Sequence, residues 1–361
     1  MAKAIKEEKL SLQEIMKNLD KAYGKNSVIA YGGDYQVQTY DVIPTGSFKI
    51  DEQLLGIGGI PRGKVTLIKG ESGAGKTTFC GHLVANCQKL GLKVLFIDGE
   101  SAMDGLYFSQ LGVNLDDETF LLCQPENGEQ GYDTALKLMD SGEIGLVIID
   151  SDSSLVPKAM MEGEVGQNFI GKKASLNSQT YPKLKVAAKK HNVAVVSIFQ
   201  YRLNPGQMFG DPRTLPGGKA AIYWADIIIE LTASLKKDGD ETSGTINKIK
   251  TTKNKTYKPY RLIELETEFG VGFVTKYELI ALAKEADLLS VRIGQVKYKD
   301  VRYENYDAFL EFLANNPDED KFIKDKIKGV DVQILSEEEI EKLKTEDEII
   351  EDNNYKLRVV N

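Results

Sequence analysis

Apolar positions follow two different periods along this chain, and the changes between them mark its parts. Near the N-terminus, Leu12, Ile15, Met16 and Leu19 recur at helical spacing. Ser11 and Glu14 open that run as a capping box, in which each side chain satisfies a free N–H at the helix start, and Gly24 supplies a left-handed stop. A short amphipathic helix follows from this spacing, then an extended stretch from Ser27 to Tyr31 that Gly32 and Gly33 break. Such an arm packs either on its own body or on a neighbouring subunit. From about residue 63 the pattern becomes continuous, β-rich apolar runs at Lys64 to Ile68, Lys93 to Ile97, Gly145 to Ile149, Val193 to Phe199 and Asp226 to Leu231. Helix-length intervals separate several of them. This alternation predicts an α/β fold with a mostly parallel central sheet, right-handed crossovers and helices on both faces. Ligands in such sheets bind at the carboxyl ends of the strands. Beyond Tyr277, Leu279, Ile280, Leu282, Ala283 and Ala286, then Phe309, Phe312 and Leu313, return to helical spacing and predict a small C-terminal α/β domain.

Composition narrows this picture. A chain of 361 residues exceeds what one core usually organises, which agrees with a large body and a smaller appendage. No apolar stretch approaches the ~18 residues of a membrane span. The N-terminus MAKAIKEEKL has charges where a signal peptide needs its apolar centre, and three cysteines (Cys80, Cys87, Cys123) cannot all pair internally. A reducing, cytoplasmic location is the expectation. Net charge is −8, which argues against a nucleic-acid partner until its distribution is considered. Residues 336–353 hold nine acids and two bases, so they carry −7 and the rest of the chain only −1. That block reads either as a solvated tail or as a competitor for a basic groove.

The most specific motif is Gly70-Glu71-Ser72-Gly73-Ala74-Gly75-Lys76-Thr77, which fits G-x-x-x-x-G-K-[ST] between a strand ending at Ile68 and a helix running toward Leu90. Glycines let backbone N–H groups converge on phosphate oxygens, and the helix N-terminus adds partial positive charge. Lys76 is expected to reach the β- and γ-phosphates and Thr77 to ligate Mg²⁺, with Thr78 beside them. Asp150 ends the strand Gly145 to Ile149 and can hold a metal-bound water next to Thr77. A further strand ends in Asp98-Gly99-Glu100, where a carboxylate can deprotonate the water attacking the γ-phosphate; Glu100 is the candidate base. His82 and His191 lack ligand spacing to cysteine, so zinc is not expected. Cys80, Cys87 and Trp224 read as packing residues, and no serine hydrolase or metalloprotease pattern occurs.

Together these residues resemble the bacterial RecA recombinases, including versions encoded by bacteriophages. The likeness covers most of residues 11–330 and includes Tyr23-Gly24-Lys25, Thr45-Gly46-Ser47, Gly58-Gly59-Ile60-Pro61-Arg62-Gly63, the phosphate loop, FIDGESAMDGLYFSQLGV from Phe96 to Val113 and LLCQPENGEQ at 121–130. It implies a RecA-type P-loop ATPase core at 41–276 with two DNA-binding loops, an oligomerisation helix and strand at 1–40, a small C-terminal domain at 277–335 and an acidic tail at 336–361. By this similarity Glu100 matches the water-activating Glu, while Asp104 and Tyr107 match the adenine-side residues. PKAMMEGEVG, from Pro157 to Gly166, resembles the first DNA-binding loop and the stretch from Arg202 to Gly218 the second. The candidate DNA contacts are then Met160, Glu162, Gly163, Val165, Gly166, Lys172, Lys173, Ser178, Arg202, Met208, Phe209, Arg213, Gly217 and Gly218. Gln200 matches the Gln that senses the γ-phosphate and passes that information to DNA; an amide at a strand end can do both. Lys253 and Lys255 resemble the lysine pair that reaches a neighbouring subunit's nucleotide.

Two departures stand out. The loop reads Gly-Glu-Ser-Gly-Ala where the family typically has Gly-Pro-Glu-Ser-Ser, which shifts its Glu to Glu71. Ser175 stands where the family commonly has a DNA-contacting Arg, with Lys172 and Lys173 nearby. Tyr298, Tyr303 and Tyr306 interleave with Lys297, Lys299 and Arg302, a pattern that fits either DNA contact or half-buried tyrosines beside surface lysines. The resemblance implies an ATP- and Mg²⁺-dependent recombinase that forms a helical filament on single-stranded DNA and pairs it with a homologous duplex. A ring-forming helicase of the same superfamily and a regulatory ATPase are the alternatives.

Overall fold

A computed structural model describes residues 10–24, 27–28, 39–116, 118–164, 166–169, 171–203, 213–239, 241–330, 332–341 and 343. It divides into two units, residues 1–39 and 40–361. In the first, α1 (Leu12–Tyr23) begins at the predicted capping box, with Ser11 Oγ accepting from Glu14 N and the Glu14 carboxylate accepting from Ser11 N. None of its residues is buried within that unit. Most of the expected extended stretch after it lies outside the described residues.

The second unit starts with β1 (Val42–Ile43), a π-helical turn at Lys49–Leu54, and β2 (Ile60–Pro61), which pairs with β1. The nucleotide-binding pattern follows as β3 (Val65–Gly70), α2 (Lys76–Lys89), β4 (Lys93–Asp98), α3 (Gly105–Gln110), β5 (Phe120–Cys123), α4 (Gly128–Asp140) and β6 (Ile144–Asp150). Next come a 3₁₀ turn at Asp152–Ser154, α5 (Lys158–Met161), α6 (Lys172–His191), β7 (Ala194–Gln200), β8 (Arg202–Leu203), β9 (Arg213–Thr214) and α7 (Ala220–Trp224). Three long antiparallel strands extend the sheet: β10 (Ile227–Asp238), β11 (Glu241–Asn254) and β12 (Arg261–Glu268), with β13 (Gly272–Phe273) at its edge. The chain ends in α8 (Glu278–Glu285), β14 (Leu289–Arg292), β15 (Gln295–Tyr298), β16 (Val301–Tyr303), α9 (Tyr306–Asn315), α10 (Pro317–Ile327) and β17 (Gln333–Ile334), which returns to pair with β12.

The strand order β13-β12-β11-β10-β3-β7-β6-β4-β5 makes the five predicted runs the contiguous parallel half of the sheet, β10 joining β3 in parallel from Ile227↔Thr66 to Leu231↔Gly70. Two apolar layers sandwich it. Phe79, Leu83, Phe96, Ile148 and Ile198 fill one side, and Leu67, Tyr132, Val147, Tyr181 and Phe199 the other. Strands buried on both faces read as unbroken apolar runs, which is why this half was visible in the hydropathy pattern. Cys80 and Cys87 are buried core residues, as expected. Trp224 is not: it keeps 42% of its surface exposed at the end of α7, because that helix spans five residues and buries only Ala221.

The C-terminal elements from α8 onward gather a third apolar cluster around Ile280, Leu282, Val296, Tyr298, Phe309, Leu313 and Ile323, within the unit 40–361. Tyr298 and Tyr303 pack edge-on or tilted against Phe309 and Phe312. Lys299 pairs with Glu319, so the interleaved aromatic residues are largely structural here. Among the described residues no helix is long and apolar enough to cross a membrane.

Candidate functional site

The site forms where β3, β4, β6 and β7 end on the same edge of the sheet. At Gly70 the chain runs against β10 so closely that a Cβ would lie 2.4 Å from the Leu231 carbonyl oxygen, and only glycine fits. Gly75, the N-cap of α2, sits at φ 86°, the left-handed conformation that turns the loop's N–H groups inward before the helix starts. Ala74 is buried, and its carbonyl accepts from Asn247 Nδ2 at 3.0 Å, which ties the loop to β11.

Lys76 is 8% exposed, and its Nζ donates to the Glu71 carbonyl at 2.6 Å across the mouth of the loop. Burial lowers its pKa, while Asp150 and then Glu100 act to keep it charged. Thr77 Oγ1 donates to Asp150 Oδ2 at 2.8 Å. Burial pushes the Asp150 carboxyl up to about 6, opposed by the Thr77 hydrogen bond and reinforced by Glu100. A hydroxyl and a carboxylate in contact are hard oxygen donors of the type Mg²⁺ takes, and the adjoining loop offers N–H groups to the phosphates. The donor set therefore fits a magnesium–triphosphate. Glu100 faces the same space; its Oε1 accepts from Ser151 Oγ at 2.8 Å and from Ser154 Oγ at 3.0 Å. Neither serine was singled out from the sequence.

Thr78 Oγ1 and Tyr107 OH are 2.7 Å apart. Asp104 caps α3 by accepting from Tyr107 N at 3.1 Å, so its carboxylate fixes the start of the helix whose Tyr107 lines the pocket, while Asp104 itself does not line it. Gln200 ends β7, and its N–H donates to Ser153 Oγ at 3.3 Å. A cavity of about 320 Å³ brings together Ser72, Gly73, Gly75, Lys76, Thr77, Thr78, Glu100, Tyr107, Asp150 and Gln200. Its far wall is Thr245, Thr267, Glu268, Phe269 and Gly270, from β11, the end of β12 and the turn after it. Sequence reasoning missed this wall. The signal was the alternation over Arg261–Glu268, where Ile263, Leu265 and Thr267 point inward, followed by the glycine-flanked turn at 269–272.

The candidate DNA segments flank this edge. The first opens with Lys158 N donating to Glu129 Oε2 at 2.7 Å on α4, and Met160 and Glu162 are exposed on and just after α5. Gly163 lies so close to the Phe169 ring that a Cβ would be 2.1 Å from it, and Gly166 is left-handed and open. Lys172 and Ser178 are exposed on α6, Ser178 Oγ donating to the Ala174 carbonyl at 2.7 Å. Lys173 points elsewhere, into an ion pair with Asp152 at 3.3 Å. Arg202 is exposed on β8, which pairs with β9, where Arg213 sits. Gly217 and Gly218 are left-handed and rest on Asn177 and Ala174 of α6. Val165, Met208 and Phe209 lie outside the described residues.

Lys253 and Lys255 are not brought to the cavity. Lys253 Nζ donates to the Ile222 and Tyr223 carbonyls at 2.8 and 3.2 Å, and Lys255 N to the Asp226 carbonyl, at the edge of the sheet opposite the phosphate loop. Thr245, on the same strand, lines the cavity, and the eight residue steps from it to Lys253 span roughly 27 Å of extended chain.

A family model described as the RecA N-terminal domain matches residues 10–274. "Protein RecA" of Enterococcus faecium is 37% identical over 314 residues, covering 86% of this chain and 88% of its own. "Protein RecA" of Paramagnetospirillum magneticum is 36% identical over 309 residues, covering 85% of each. The crystal structure of "the RadB recombinase" overlays on 64% of this chain and 98% of its own, with TM-score 0.49 and 20% identity. A family match across the whole nucleotide-binding body, with relatives this similar over nearly their full length, establishes that the chain belongs to the RecA family.

Proposed function

We propose that this chain is a DNA-dependent ATPase that assembles on single-stranded DNA as a helical filament and exchanges strands with a homologous duplex. The phosphate-loop amides and Lys76 bind the triphosphate, and Tyr107 with Asp104 and the Phe269 turn hold the base. Thr77 and Asp150 hold Mg²⁺, Asp150 through water; the ion, when bound, neutralises charge on the β- and γ-phosphates. Glu100, steadied by two serine hydroxyls, takes the proton from the attacking water. Gln200 links the γ-phosphate to the segment 202–218, so that phosphate release changes the grip on DNA. Contacts to DNA are mostly to phosphates, from exposed residues such as Lys172 and Arg202.

One observation carries this reading. The loop lysine, the Thr77–Asp150 pair, the oriented Glu100 and Gln200 line a single cavity, and Gln200 leads directly into the second DNA segment. The placement of Lys253 and Lys255 on the opposite edge supports their acting on a neighbour's nucleotide, and so a site completed by assembly. The test is the ATPase rate with and without single-stranded DNA, with electron micrographs of the same mixtures. Turnover raised by DNA and ATP-dependent filaments are expected; turnover indifferent to DNA, with no filaments, overturns the reading.

A further inference from the structure

Between α4 and α6, next to the described ends of the two DNA segments, lies a buried polar cluster that the proposed chemistry does not use. At its centre is Asp152, the first residue of the 3₁₀ turn after β6 and fully buried. Its carboxylate accepts from Asn177 Nδ2 at 3.0 Å, from Tyr181 OH at 3.0 Å and from Tyr132 OH, and it is 3.3 Å from Lys173 Nζ. Lys173 Nζ also donates to Tyr132 OH at 3.1 Å and lies over that ring. A carboxylate is retained in such a position only when donors surround it, and here four of them come from two helices, α4 and α6.

The turn that carries Asp152 also carries Ser153, which accepts from Gln200 N, and Ser154, which donates to Glu100. Three successive residues thus bind the candidate base, the residue that leads into the second DNA segment and the helices α4 and α6. The end of the second segment rests on that helix at the same place. A Cβ on Gly217 would be 2.4 Å from Asn177 Nδ2 and 3.2 Å from Lys173 Cγ. The first segment is held at its start by α4, through Lys158 N to Glu129 and Gly128 N to the Val156 carbonyl.

We infer that Asp152 and Lys173 form a latch that positions both DNA segments relative to the nucleotide site, and that Lys173 acts on DNA through Asp152 and not as a phosphate ligand. The inference rests on the function proposed above. It reassigns Lys173, whose sequence position beside Ser175 suggests a direct DNA contact.

The two roles predict opposite signs. Were Lys173 a phosphate ligand partly neutralised by Asp152, Asp152→Asn would free it and tighten single-stranded DNA binding. With a latch, Asp152→Asn weakens binding about fivefold or more, the usual range of coupling between sites. The double variant Asp152→Asn/Lys173→Met leaves no unpaired buried charge, so it keeps the test readable if the single variant folds poorly. Its affinity should equal that of the single variant, with the slope of log K against log salt unchanged. Loss of one phosphate contact would instead lower that slope by about 1. Tightening in Asp152→Asn, or a lowered slope in the double variant, overturns the latch. Failure of the unsubstituted protein to bind DNA overturns the function itself, and the two failures are told apart by that control.

Discussion

At the scale of single residues, the site's chemistry depends on side chains kept charged or oriented inside a partly dry pocket. Lys76 is the clearest case: burial works against its charge, and two carboxylates sustain it. Because its ammonium donates to the Glu71 carbonyl at the mouth of the loop, Lys76→Ala should abolish ATP turnover yet melt within a few degrees of the parent; normal hydrolysis would contradict its role. Glu100→Gln keeps the shape and the serine contacts but cannot accept a proton. We expect it to bind ATP and DNA and to turn over ~10²- to 10⁴-fold more slowly, a range typical of a lost general base, in steady-state assays. Ser154→Ala should lower kcat several-fold with KM for ATP unchanged, since Ser154 touches the base and not the phosphates. A matching rise in KM would assign it to binding instead. Gly70 to Thr77 were legible because a phosphate cradle is contiguous in sequence, and Asp150 because a strand-end acid after such a loop has a defined role. Asp152 was not, since Tyr132, Lys173, Asn177 and Tyr181 converge on it from separated positions, each ordinary where it stands.

At the scale of elements, the parallel strands other than the half-buried β5 announced themselves, and the antiparallel β11 and β12 did not. In β11 the inward positions include Asn247, Thr251 and Asn254, so burial alternates while hydropathy does not. Those polar residues are satisfied locally: Asn247 Oδ1 accepts from Thr245 and Thr267 hydroxyls, and Asn254 Oδ1 accepts from Thr256 and Tyr257. The docking of the C-terminal domain has a similar polar basis. Glu278, first residue of α8, accepts from Ser47 Oγ at 2.9 Å, and nearby Asp51 accepts from Thr45. Burial raises both carboxyls to about 7. In the unfolded chain they lose their protons near pH 4, so between about 4 and 7 the folded state holds more protons. Their stabilising effect is complete below that window and is lost as pH rises through 7. Glu278→Gln, which mimics the protonated acid, should therefore melt higher than the parent at pH 8 and level with it at pH 5, as thermal unfolding at the two values would read. A gap independent of pH would mean that Glu278 does not titrate there.

At the scale of the whole molecule, the sheet separates what the proposed reaction would reunite. The loop lysine and the pair Lys253 and Lys255 occupy opposite edges, so one copy cannot bring them together. Mixing Lys76→Ala protein with Lys253→Ala/Lys255→Ala protein should restore part of the ATPase rate that neither has alone, because intact loops then face intact lysines. No recovery would place the complete site in a single chain. Charge acts at the same scale. Removing residues 336–361, most of which lie outside the described residues, takes away nine acids and four bases, a net charge of −5 out of the chain's −8. DNA affinity should rise at moderate salt and converge with the parent's at high salt, where screening removes the competition. An unchanged affinity would leave that end a solvated extension.

The ribbon β11 has a bearing on timing. One end of it walls the cavity at Thr245, and the other carries Lys253, which the function proposed above assigns to a neighbouring subunit's nucleotide. β11 is paired on both sides from Gly244 to Lys250 and with β10 alone beyond that, so under the proposed assembly a twist set off at one nucleotide would be carried along the ribbon toward the adjacent one. Phosphate release along an assembled array is therefore expected to travel as a wave from copy to copy, and single-array kinetics showing statistically independent events would rule that out.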